Sequence, residues 1–258
     1  MKDRLKKEKT FHNIRFGGED RRSCVSKYYS VTKHSEELYR NLVLERSRGA
    51  SLLEYGCGRG KMVLDWARNG AVVDAIDISE KAVMELRLLA LEERLNIKCH
   101  VMNAEDLEFG EDYFDLVTGK GILHHLDLDK SYSEVARVLV PSGCAIFVEP
   151  LGHNCFIGLY RKLTRSLRTE DEHPLSMADI ERAKSYFDDL KVEYFHILTL
   201  LAVPLRKLPF FDRLINCLHS ADQVLMTFMP FMRRFAWMVV IVLRKPLKGD
   251  KRSHDKTS

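Results

Sequence analysis

Nine residues constrain this chain more than any others: Leu52-Leu53-Glu54-Tyr55-Gly56-Cys57-Gly58-Arg59-Gly60, a largely apolar run that ends in glycines at alternate positions. The run reads as a buried strand, 51–55, and the pattern over 61–69 reads as a helix. Glycines permit backbone angles and close approaches that a Cβ blocks, so a ligand can lie against the main chain at the carboxyl end of the strand. The same alternation continues, with strands read at 71–76, 97–102, 114–118 and 144–149. Between them lie helices over 79–94, which Ser79 caps and Ala82, Leu86, Leu89 and Ala90 anchor, and over 131–139. Short apolar runs alternating with helical patterns build a parallel sheet from βα units. The turn Pro141-Ser142-Gly143 closes the last of these helices.

Beyond residue 150 the pattern changes. A helix is read over 155–168, with Phe156, Leu159, Tyr160, Leu163 and Leu167 on one side. Ser176 caps another through 187, and a strand follows at 192–200. Two helical pieces, about 205–218 and 221–234, are rich in Leu, Phe and Met and precede a last strand at 237–243. They stand where a plain doubly wound fold has a loop, and they read as a lid. A further helix, 32–46, follows Tyr28 and Tyr29 and is placed to fold over the ligand edge.

Charge separates the ends from the middle. Residues 1–30 carry nine Lys or Arg against four Asp or Glu, and 244–258 carry six against two, so 31–243 stands at −5 within a total of +4. The expected organisation is a basic N-terminal segment (1–30), a central domain (31–245) and a basic tail (246–258). Basic ends can touch nucleic acid or anionic lipid, or be solvated. No aromatic and basic residues interleave on a binding module, so nucleic acid gives no strong signal. The longest apolar run, 236–243, is far short of the ~20 residues a spanning helix needs. The charged first ten residues lack a secretory apolar core, so a cytoplasmic location is the expectation. Six cysteines without a CxxC pair suit neither a zinc site nor a disulfide framework. No metal is expected.

The spacing narrows the ligand. GxGxG departs from the GxGxxG of dinucleotide sites, whose last glycine serves helix packing behind a pyrophosphate. Asp77, 21 residues after Gly56, ends the second strand, where a carboxylate accepts from ribose hydroxyls or simply favours a helix N-terminus. Glu54 adds negative charge beside the loop and suits a cationic cofactor better than a pyrophosphate.

On these residues the chain resembles the class I S-adenosylmethionine-dependent methyltransferases over about 40–150. The resemblance implies an α/β Rossmann-like fold. It is a doubly wound, mostly parallel seven-stranded sheet with helices on both faces and a helical insertion before the last strand. It also implies that Glu54, Gly56, Cys57, Gly58 and Gly60 hold the methionine part of S-adenosylmethionine and that Asp77, with Ile78 beside it, holds the ribose. Met102 to Leu107 is similar to the loop that meets adenine, through Asn103, Ala104 and Glu105, although Asn103 stands where the family usually has Asp. Phe114-Asp115-Leu116-Val117 and Gly121-Ile122-Leu123-His124-His125-Leu126 resemble the fourth-strand region of the ubiquinone/menaquinone C-methyltransferase-like group, and Lys120, between them and near the pocket, is a further cofactor-binding candidate or a solvated lysine. No Asn/Asp-Pro-Pro-Tyr/Phe stretch follows the fourth strand, which disfavours amino groups of nucleobases.

Methyl transfer rests on alignment in a dry site, and a hydroxyl acceptor must also lose a proton. His153, at the carboxyl end of the fifth strand, and His124 and His125 are the candidates to take it; each can instead serve a loop hydrogen bond. His173 sits in a polar loop, where it reads as a surface turn or a further candidate. The expected function is methylation, at oxygen or carbon, of a small lipophilic or aromatic acceptor. A lid over that acceptor or a peripheral membrane contact would use the apolar pieces near the C-terminus. An RNA methyltransferase and a catalytically inactive S-adenosylmethionine-binding regulatory or scaffold subunit are the alternatives. Oligomeric state is not legible.

Overall fold

The computed structural model describes residues 30–154, 157–158 and 174–248, together with Thr10. Strands β1 (Ser51–Tyr55), β2 (Val72–Asp77), β3 (Ile97–Val101), β4 (Phe114–Lys120), β5 (Leu139–Pro150), β6 (Phe187–Phe195) and β7 (Met238–Pro246) form one sheet in the order β3-β2-β1-β4-β5-β7-β6. The first five run parallel, and β7 lies antiparallel to both β5 and β6. From β1 the chain builds outward to β3 and then returns to β4 on the other side. The crevice at the carboxyl ends of β1 and β4 is therefore the switch point where open α/β sheets bind ligands.

Alternation along the strands sets the two layers. Leu52, Val73, Leu116, Ile146 and Val240 face one side, against Tyr39 and Val43 of α1 (Lys33–Ser47), Val63 and Trp66 of α2 (Lys61–Arg68), and Leu86 of α3 (Glu80–Glu92). Leu53, Tyr55, Val117, Phe147 and Ile241 face the other, against Tyr132, Val135 and Ala136 of α4 (Leu128–Val138). The expected alternating sheet with helices on both faces is what forms. Ser79 caps α3 by accepting from the Ala82 N–H, as read from sequence, and Asp127 caps α4 by accepting from the Lys130 N–H.

Four readings are corrected. Helix α4 starts three residues earlier than the apolar spacing indicates, because the Asp127 cap sets it. The turn at 141–143 is absorbed into β5: Phe114 pairs with Leu139 and Leu116 with Cys144, so the extra residues form an irregularity rather than an element boundary. The sixth strand spans Phe187–Phe195, not 192–200, since pairing with β7 overrides the local apolar run. The two pieces over 205–234 are one helix, α6 (Phe211–Phe228), between two short 3-10 segments, Thr199–Leu205 and Pro230–Phe235. Asp222, fully buried, fastens α6 to the turn after β6 by accepting from the N–H groups of Ile197, Leu198 and Thr199. A short helix α5 (Met177–Arg182) carries the Ser176–Asp179 capping box. The readings at Tyr28, Tyr29, His173 and most of 155–168 lie outside the described residues.

Candidate functional site

The glycine loop is bent as its sequence demands. Gly56, Gly58 and Gly60 have φ of 81°, 49° and 69°, a region that residues with a Cβ rarely adopt. A Cβ at Gly56 would meet Ile122 Cδ1 at 2.8 Å, and one at Gly60 would run into Leu86. The loop is pinned from β2: the Gly56 and Cys57 N–H groups donate to the Ile76 carbonyl at 3.0 and 2.8 Å. Asp77 then closes the cradle, with Oδ2 accepting from the Gly58 N–H at 2.9 Å and Oδ1 from the Ser79 N–H at 2.8 Å. Ile78, half-buried, continues that wall.

Beneath the loop lies a buried polar cluster. Glu54, 4% exposed, accepts from Trp66 Nε1 at 3.0 Å, and burial pushes its carboxyl up to about 8 despite that bond. Tyr39 of α1 bonds Thr118 of β4, and burial, with Glu54 as the second cause, holds its phenol well above the ordinary value. Burial raises the Cys57 thiol too, with Asp77 and Glu54 adding to the shift, so Cys57 is a packing thiol here. Burial thus favours the uncharged form of Glu54 in the ligand-free site, and a cation placed beside it would favour the carboxylate. That property fits a cofactor bearing an ammonium and a sulfonium, and it disfavours a pyrophosphate.

The third-strand loop is turned partly inward. Asn103 Oδ1 accepts from the Glu105 N–H at 3.1 Å, and the Ala104 carbonyl accepts from the Tyr55 hydroxyl. The Glu105 carboxylate accepts from the Asp127 N–H at 2.9 Å, anchoring the start of α4. Of these three, Asn103 alone is only half-buried, and it is the one with amide donors and a spare lone pair to offer a base.

Lys120, ending β4, pairs with Glu36 of α1 at 2.9 Å, which holds α1 over the edge of the sheet. The histidine pair follows on a single turn, Leu123–His125. His124 Nδ1 lies 2.7 Å from Glu149 Oε2, with its side chain 8% exposed, and the His125 ring packs against it at 4.1 Å between centroids. His153 is exposed, two residues beyond the isolated bridge between Leu151 and Leu175. The carboxyl ends of β1, β2 and β4 bring Glu54, the glycines, Asp77, Lys120 and the turn that carries His124 to one edge of the sheet, whereas His153 lies past the end of β5. Sequence reasoning missed Tyr39, Thr118, Ile122 and Glu149. Only Glu149 carried a readable signal, an acid at an otherwise apolar strand end. Among the described residues, no group of three or more His, Cys, Asp and Glu could hold a metal ion.

Comparison with known proteins agrees with this geometry. Residues 53–147 match the model of a methyltransferase domain. A ubiquinone biosynthesis O-methyltransferase of Alkalilimnicola ehrlichii is 36% identical over 101 residues, 38% of this chain and 41% of that protein. An uncharacterized methyltransferase of Synechocystis is 33% identical over 134 residues, 49% of this chain and 61% of that one. The chain thus spans less than two thirds of the length of these curated relatives. Among solved structures, a geranyl diphosphate C-methyltransferase from Streptomyces coelicolor, with Mg2+, geranyl diphosphate and S-adenosyl-L-homocysteine, superimposes with a TM-score of 0.58 at 14% identity. That match covers 81% of this chain and 80% of the other. The [4+2]-cyclase SpnF superimposes with a TM-score of 0.53 at 20% identity over the same shares. These neighbours share the fold and differ in chemistry, so the fold leaves the reaction open.

Proposed function

We propose that this chain, whose residues 53–147 match a methyltransferase domain, is a class I S-adenosylmethionine-dependent methyltransferase that transfers a methyl group from that cofactor to a small lipophilic or aromatic acceptor, at oxygen or carbon. The observation that carries the reading is the cradle itself: three left-handed glycines tied through Gly58 to Asp77, above an acid that burial keeps protonated. When bound, S-adenosylmethionine supplies a methyl carbon on a positively charged sulfur, open to in-line displacement.

The chain's residues bind, orient and shield. Glu54 offers charge to the ammonium end and Asp77 offers acceptors to the sugar. Asn103, Ala104 and Glu105 shape the base site, and Gly56, Cys57, Gly58 and Gly60 give main-chain approach. Helix α1, held by Glu36–Lys120 and Tyr39–Thr118, shields the edge where the acceptor must lie, and α6 packs on the start of α1 through the stacked rings of His34 and His219. His124, His125 and His153 are the residues at that edge able to receive a proton.

A lipophilic acceptor is supported by the apolar surface of the insertion, where Leu205, Leu208, Phe210, Phe228 and Phe231 are exposed beside Lys207, Arg233 and Arg234. The same rim suits a peripheral contact with an anionic membrane. Calorimetry with S-adenosyl-L-homocysteine tests the core of the reading. The wild type is expected to bind it, and Gly58→Val, which forces a branched side chain into φ of 49°, is expected to abolish binding. Equal affinity in the two proteins refutes the cradle.

A further inference from the structure

Glu149 is fully buried near the end of β5, and its side-chain carboxylate is held by the segment after β4. Oε1 accepts from the Ile122 N–H at 2.7 Å and the Leu123 N–H at 2.9 Å, and Oε2 lies 2.7 Å from His124 Nδ1. The two main-chain donors fix the carboxylate before the third bond is made. Where Glu149 is the carboxylate it can only accept, so Nδ1 is then the donor of this bond and a singly protonated His124 ring carries its lone pair on Nε2. The Cε1 edge of the ring, between the two nitrogens, faces Gly121: a Cβ built there would lie 3.6 Å from Cε1. Gly121 adjoins Ile122, whose side chain covers Gly56. The ring thus sits between the buried acid and the Gly121 backbone, one residue from the side chain that covers Gly56.

Resting on the methyltransferase reading, we infer that Glu149 is a positioning residue that holds His124 as the Nδ1–H tautomer, making Nε2 the acceptor for the proton of a hydroxyl on the methyl acceptor. The acceptor's O–H bond breaks and its proton joins Nε2. The electron pair left on oxygen forms the new C–O bond, and the pair of the old C–S bond stays on sulfur. Glu149 balances the charge of the imidazolium, which returns the proton to solvent afterwards.

Nitrogen-15 NMR of the histidine side chains at pH 8 reads the tautomer without turnover. The wild type is expected to show His124 with a protonated Nδ1 and an unprotonated Nε2. In Glu149→Gln the oxygen keeps the two main-chain donors while the amide NH2 faces Nδ1, so the tautomer inverts and S-adenosyl-L-homocysteine affinity is unchanged. With catechol as probe acceptor, Glu149→Gln is expected to lose about 10²-fold or more in kcat, the scale of general-base catalysis. With 4-nitrocatechol, already ionised at that pH, the loss should be at least tenfold smaller. A protonated Nε2 in the wild type, equal losses on the two phenols, or no turnover of either overturns the inference. Failure of the wild type to bind S-adenosyl-L-homocysteine removes the methyltransferase reading instead and leaves the tautomer result standing.

Discussion

Replacing Glu54 by Gln tests the electrostatic core of the site without any acceptor. The carboxyl is 4% exposed, bonded to Trp66, and raised by burial from 4.5 to about 8. In the unfolded chain it ionises near its ordinary value, whereas in the folded, ligand-free protein it stays protonated until about 8. Across that interval the unfolded state holds fewer protons, so stability from this group is complete below about 4.5 and is lost as pH rises through about 8. At about 1.4 kcal/mol per unit, the loss between pH 5 and 9 is about 4 kcal/mol, a large part of the stability of an ordinary domain. Gln keeps an acceptor for Trp66 Nε1 and cannot ionise. Urea denaturation of ligand-free wild type and Glu54→Gln from pH 5 to 9 should show the variant gaining steadily on the wild type, by about 4 kcal/mol over the range. On binding S-adenosyl-L-homocysteine at pH 6.5, the wild type should release about one proton, measured by calorimetry in buffers of different ionisation enthalpy, and the variant none. Parallel stability curves would refute the buried neutral acid, and with it the reason given for a cationic cofactor.

Three further outcomes are expected. His196 is fully buried, with Nε2 2.8 Å from Ser35 Oγ and Nδ1 3.1 Å from Thr199 Oγ1. Burial, with His219 and His34 nearby, depresses it to about 3. Its contribution is present above about 6.5 and lost as pH falls toward 3, so the wild type should lose about 2 kcal/mol from it between pH 6.5 and 5; His196→Asn, which tolerates the φ of 69°, should flatten that part of a denaturation series. Tyr39→Phe leaves the buried Thr118 hydroxyl without its phenol partner, and a cost of about 1–3 kcal/mol should appear in thermal or urea unfolding. Phe228→Asp with Phe231→Asp should abolish flotation with phosphatidylserine-containing vesicles while neutral vesicles bind neither protein, and equal flotation of wild type and variant would remove the membrane contact.

The site was legible where its chemistry is local. Three glycines at alternate positions permit a left-handed turn at a strand end, and an acid at the next strand end falls beside that turn because parallel neighbours align their carboxyl ends. Ser79 announced its cap for the same reason, since the bond spans three residues. The site residues that were missed act across long separations: Tyr39 meets Thr118, and Glu149 meets His124. No periodicity within one element encodes such pairs.

The sequence by itself determined the βα alternation and the glycine turn at the end of β1, because side-chain period and glycine geometry are properties of short segments. Tertiary structure alone decided that β6 ends at Phe195, that one helix rather than two fills the insertion, and which of three histidines is held by a carboxylate. Strand ends follow the partner strand, helices persist where a buried anchor such as Asp222 secures them, and the proton position on an imidazole follows the neighbour the fold brings to it.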